Sequence, residues 1–137
     1  MTTRDLTRFV LWVLVAAATA SCRRSVDPPE VTGRWVMVAS EAADTLDLFS
    51  DGRFRQSFRH RNGRRAEGVG RWSLSEMDGQ QRVSLDSYHR WWDAYVPPGS
   101  VGVHGPLFFS APVRRARSGQ LKLILDADGE RAYVHLP

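Results

Sequence analysis

Past residue 32 the chain alternates apolar and polar side chains in short runs, broken at intervals by turn-forming residues. A period of two belongs to strands with one buried face. The runs fall at 33–39, 44–49, 53–59, 68–75, 80–86, 107–114, 120–126 and 130–136. Three Asp-Gly pairs, Asp51-Gly52, Asp78-Gly79 and Asp128-Gly129, lie between runs. Asp-Gly suits tight hairpins because both residues tolerate positive φ. The pattern predicts an all-β domain, an antiparallel up-and-down meander of about eight strands.

Register follows from burial, because a slip of one residue turns every side chain over. At Asp51-Gly52 a three-residue loop, Ser50-Asp51-Gly52, pairs Leu48 with Phe54 and Asp47 with Arg55. Apolar residues then meet inside and opposite charges outside. At Asp78-Gly79 a two-residue loop pairs Leu74 with Val83 and Trp72 with Leu85. The same loop at Asp128-Gly129 pairs Leu123 with Val134, Leu121 with Leu136 and Asp126 with Arg131. The inward set becomes Trp35, Met37, Leu46, Leu48, Phe54, Phe58, Trp72, Leu74, Val83, Leu85, Leu121, Leu123, Leu125, Val134 and Leu136. Such a meander removes its edges by closing into a barrel, with a strongly curled open sheet as the alternative.

The N-terminal region follows other rules. Arg4 and Arg8 precede the apolar run Phe9–Ala18, and small residues follow it. These are the parts of a secretory signal, too short to span a bilayer. Thr19-Ala20-Ser21-Cys22 resembles the lipobox of bacterial lipoproteins. That resemblance implies a signal-peptide helix over 1–21, cleavage before Cys22, and lipid on its thiol. Arg23, where that family's inner-membrane members carry Asp, implies an exported protein anchored in the outer membrane and facing the periplasm. Ordinary cleavage after Ala20 and an uncleaved anchor are the rival readings. Cys22 is the single cysteine, so it forms no internal disulfide, and a thioether to lipid gives it a role. Residues 22–31 read as the lipid-bearing end and an extended tether, since Pro28 and Pro29 favour polyproline geometry. Residues 32–137 form the β domain.

Composition modifies this picture at one place. Two of the 19 basic and one of the 15 acidic side chains precede Cys22, which leaves a net charge near +3. That is mild, and export argues against a nucleic-acid partner. Seven arginines nevertheless crowd residues 53–71: Arg53, Arg55, Arg59, Arg61, Arg64, Arg65 and Arg71. They read as a solvated face, or as an anion-attracting patch centred on Arg55, Arg59, Arg61, Arg64 and Arg65 for lipid headgroups, lipopolysaccharide or an acidic partner.

Gly33-Arg34-Trp35 at the head of the first strand looks like the G-x-W signature of lipocalins. Leu46-x-Leu48-x-x-Asp51-Gly52-x-Phe54, followed by Gly70-x-Trp72-Ser73-Leu74, is similar to small bacterial lipocalin-like domains, many of them lipoproteins. The resemblance covers mainly residues 33–86 and implies a calycin-type barrel whose floor is closed by Trp35. The T-D-Y motif of typical lipocalins is absent.

Residues 87–106 interrupt the meander. Ser87 is placed to cap a short helix running to Val96, stopped by Pro97-Pro98-Gly99. Tyr88, Trp92 and Tyr95 then share one helical face, with Trp91 pointing elsewhere. That face reads either as core or, with Trp72, as an aromatic wall at a pocket mouth.

No metal-ligand spacing joins His60, His89, His104 and His135, no serine sits in a nucleophile elbow, and no glycine-rich loop precedes a helix. The aspartates at 51, 78 and 128 are accounted for by turns. An enzyme, a cofactor and a catalytic residue are therefore not expected. Two readings stand. One is a membrane-tethered module binding a small apolar or amphiphilic ligand. The other is an envelope structural or protein-interaction lipoprotein with a filled barrel.

Overall fold

The computed structural model describes residues 25–38, 42–90, 106–129 and 131–137. One helical turn, α1 (Pro28–Val31), precedes eight strands: β1 (Gly33–Val38), β2 (Ala42–Leu48), β3 (Arg53–His60), β4 (Arg65–Met77), β5 (Gln80–Tyr88), β6 (Leu107–Arg115), β7 (Leu121–Ile124) and β8 (Ala132–Leu136). Each strand pairs antiparallel with its sequence neighbours, and β8 returns to β1. Arg34 lies opposite Leu136, Trp35 opposite His135 and Val36 opposite Val134. The sheet is thus a closed barrel, not an open curl.

Two of the three expected hairpin registers are found. Leu48 faces Phe54 and Asp47 faces Arg55. Gly52 has φ +80°, in the left-handed region where a Cβ is costly. Trp72 faces Leu85 and Leu74 faces Val83. Asp78 and Gly79 both take positive φ, which matches the twist of the flanking strands.

The third hairpin differs by one residue. Leu123 faces Tyr133, not Val134. Leu125 and Arg131 close a longer loop, and the Asp126 carboxylate accepts the Arg131 N–H. The slip brings Tyr133 inward and turns Leu136 out, where it is 44% exposed. Burying an aromatic ring with a bonded hydroxyl outweighs the turn preference of a single Asp-Gly pair.

Two further expectations are corrected. Pro28 and Pro29 open a helical turn instead of an extended tether. Proline suits the first turn, where its missing N–H costs no hydrogen bond. Val26 and Val31 flank that turn and join the core. Gln81 clasps the Val26 backbone from both sides, its amide donating to the Val26 carbonyl and its carbonyl accepting the Val26 N–H. Ser87 and Tyr88 belong to β5, not to a helix. Ser87 takes φ +58°, at a shift in the β5–β6 register that lets Tyr88 face Leu107. Trp91, Trp92 and Tyr95 lie outside the described residues, as do the signal region and Cys22.

Of the expected inward set, Trp35, Met37, Leu46, Leu48, Phe54, Val83, Leu85, Leu121 and Leu123 are buried. Trp72, Leu74 and Leu125 are partly buried against them. Trp35 lies at the end of the barrel covered by α1. Its indole N–H donates to the Val31 carbonyl at 2.8 Å, and its ring sits 4.7 Å from that of His135. Gly33, two residues before it, has φ +117°, and a Cβ there would lie 3.0 Å from His135 Nε2. The glycine and the tryptophan are required by one packing arrangement.

Candidate functional site

The interior has two halves. Near α1 it is apolar. Toward the start of β2 it is polar, by the same alternation that builds the strand. Asp44, Leu46 and Leu48 share the inward parity of β2, and Phe54 and Gln56 share that of β3. Asp44 and Gln56 are therefore carried inside, and both are fully buried.

They meet two tyrosines there. The Tyr133 hydroxyl donates to Asp44 Oδ2 at 2.6 Å, and Gln56 Nε2 donates to the same oxygen at 2.8 Å. The Tyr88 and Tyr133 hydroxyls are 2.9 Å apart. Gln56 also binds the His89 backbone both ways, which ties β3 to the end of β5. Tyr88 stacks on Phe109 at 4.7 Å. Asp44 Oδ1 is buried with no hydrogen bond of normal geometry among the described residues.

Burial pushes the Asp44 carboxyl up to about 7. Tyr133, Gln56 and the Thr45 N–H pull the other way, because they bond the charged form, but they offset only part of the desolvation. Burial, then the neighbouring Asp44, raises Tyr133 well above the ordinary phenol range. Asp44 can therefore exchange a proton near neutrality, in a cluster where Tyr133 also bonds Tyr88 and Gln56 also bonds the His89 backbone.

The sequence-derived candidates separate in space. Tyr88 is a fully buried member of this cluster. Trp72 lies opposite Leu85, near the hairpin between β2 and β3, and its indole N–H donates to the Phe49 carbonyl. The arginine patch lies on the outside. Arg53, Arg55, Arg59, Arg65 and Arg71 all project from the outer face of the β3–β4 hairpin, and Arg61 and Arg64 lie in its turn. Two pairs are directly opposed, Arg53 with Arg71 and Arg59 with Arg65. Arg55 meets Glu67 at 2.9 Å and Arg53 meets Asp51 at 2.6 Å. Among the described residues, no ion pair engages Arg59, Arg65 or Arg71.

A concavity of about 510 Å³ on this wall is lined by Phe49, Arg53, Phe54, Arg55, Val69, Gly70 and Arg71. Gly70 faces Phe54, and a Cβ there would fall 2.2 Å from the Asp86 carbonyl and 2.7 Å from the Phe54 ring, so packing requires glycine at this position. A second concavity of about 660 Å³ adjoins it across β2 and β1, sharing Phe49 and Arg55 and reaching Leu136.

Asp44 and Gln56 were readable as polar residues at inward positions of otherwise apolar strands, and that parity was the available signal. Tyr133 was hidden by the hairpin slip. No family model, curated protein or solved structure matches this chain.

Proposed function

We propose that this is a membrane-tethered, lipocalin-like envelope lipoprotein that acts through its outer surface and carries no ligand inside its barrel. The observation that carries the reading is the state of the interior. Tyr133 bonds Asp44 and Tyr88, Gln56 bonds Asp44 and the His89 backbone, and Tyr88 stacks on Phe109. An eight-stranded barrel is narrow enough for side chains to fill. The two concavities lie on the wall, lined by exposed arginines and apolar side chains. In this reading lipid on Cys22 holds the domain at the periplasmic face of the outer membrane.

A second reading, a small amphiphile held inside the barrel, draws on one observation: among the described residues the buried Asp44 Oδ1 has no hydrogen bond of normal geometry. Native mass spectrometry of the protein extracted from membranes separates the two. The expected mass is that of the chain plus its N-terminal lipid. An additional bound mass that disappears in Tyr133→Phe would overturn the filled-barrel reading. The anchor has its own test, in which Cys22→Ala is expected to release the protein from membranes.

A further inference from the structure

The outer wall formed by β8, β1, β2, β3 and β4 carries one continuous row of side chains. Register places Leu136 opposite Arg34, Arg34 opposite Asp47, Asp47 opposite Arg55 and Arg55 opposite Val69. Phe49, Arg53 and Arg71 form the next row toward the α1 end. Phe49, Val69 and Leu136 are 46%, 72% and 44% exposed. From Arg53 to Arg59 the arginine ribbon extends about 20 Å at the ordinary strand rise.

This wall has features that a merely solvated face does not need. Directly opposed like charges oppose strand pairing, and here they occur twice on one hairpin, as Arg53–Arg71 and Arg59–Arg65. Asp51 answers Arg53 within the chain, and an external anion beside Arg71 or between Arg59 and Arg65 would remove the rest of that repulsion. The cations are also interleaved with exposed apolar side chains, a combination that suits a surface with charged headgroups above hydrocarbon.

The position of the N-terminal segment narrows the choice of partner. Val26 enters the barrel at the α1 end, the end that also carries Phe49 and Leu136. Ser25 is three residues from Cys22, a distance of at most about 11 Å for an extended chain. A lipid on Cys22 would hold this end of the wall at the headgroup layer. We infer that the β8–β1–β2–β3–β4 wall docks on a bilayer leaflet rich in anionic headgroups, through Arg53, Arg59, Arg65 and Arg71 with Phe49 and Val69 inserted between them. This rests on the tethered reading and names the surface's partner.

The test uses the full chain in vesicles, with a polarity-sensitive probe on a cysteine introduced at Val69 or, on the β6 wall, at Phe108, which is 70% exposed. In phosphatidylglycerol vesicles the Val69→Cys probe should shift to the blue and be quenched by lipid-borne quenchers. The effect should be weaker in phosphatidylcholine, and the Phe108→Cys probe should report water in both. Replacing Arg59, Arg65 and Arg71 by Gln should lower the docked-to-undocked ratio by about fivefold per arginine. The charge-matched control, Arg114→Gln, Arg117→Gln and Lys122→Gln together, should leave it unchanged. Equal responses at 69 and 108, or no preference for the anionic lipid, would overturn the docking. So would a Val69→Cys probe that answers soluble polyglutamate but not vesicles, which would point to an acidic protein. If the thiol of Cys22 in the otherwise unaltered chain takes up label, the tethered reading fails. Vesicles added to the Cys22→Ser chain carrying Val69→Cys or Phe108→Cys then decide the docking separately.

Discussion

The two halves of the barrel interior solve the same packing problem by different chemistry. At the α1 end Trp35, Leu48, Phe54 and Leu121 are buried with Val26 and Val31, and the Trp35 indole N–H finds its acceptor in Val31. At the other end Asp44, Gln56, Tyr88 and Tyr133 fill the space with polar groups joined by hydrogen bonds. The apolar half draws its stability from area removed from water, which is indifferent to pH. The polar half depends on protons, because one of its members is a carboxyl raised to about 7. A barrel needing only stability could have been apolar throughout. Buried polar clusters specify geometry, since each bond fixes a direction as well as a distance.

The largest effect should come from the apolar half. Trp35→Ala removes a fully buried indole and its bond to Val31, and should cost about 3–5 kcal/mol in urea unfolding. A loss below 1 kcal/mol would mean that α1 and Trp35 do not close the barrel floor in solution.

The proton-dependent half should reveal itself by slope. An acid whose folded pKa lies above its unfolded value binds its proton more tightly when folded. Below the unfolded value of 3.8 both states are protonated and stability from this group is at its maximum. Stability then falls as pH rises toward about 7, and levels off above it. The loss across that window is on the order of 4 kcal/mol at most. Asp44→Asn should flatten the slope, measured as the urea midpoint against pH. An unchanged slope would place the proton on another group.

The smallest effect tests whether the tyrosines act together. Tyr133→Phe takes one donor from Asp44 and a partner from Tyr88, and should cost about 1–3 kcal/mol. It should also push the Asp44 carboxyl higher, since the Tyr133 bond holds it down. A double-mutant cycle with Tyr88→Phe should show non-additivity, and additive losses would mean that the hydroxyls are energetically independent.

Much of the architecture was legible in the alternation of side chains. Leu48 with Phe54, and Leu74 with Val83, sorted correctly because each register had one choice that set the two apolar partners together on the inner face. The β7–β8 hairpin lacked that discrimination. Val134 and Tyr133 are both fit to face a core, and what favours Tyr133 is Asp44, 89 positions away. Local pattern carries no record of such a partner. Pro28-Pro29 failed for a related reason. The pair permits both polyproline and a first helical turn, and the burial of Val26 and Val31 selects the second. The outer patch was legible as a run of arginines, but not its arrangement as opposed pairs, which exists only once β3 and β4 are in register.

Closure of β1 on β8 has a consequence for the order of assembly. The first and eighth strands are about a hundred positions apart, so the pairing that seals the sheet is among the most non-local in the molecule. Contacts of that kind form late and slowly, because a long loop must be closed before they contribute. Until β8 docks, β1 presents an open edge and Asp44 lacks the Tyr133 hydroxyl. Both defects are mended by the same strand. A chain interrupted before residue 132 therefore keeps an unpaired edge on β1, a template for pairing with another chain, and leaves Asp44 without its tyrosine donor.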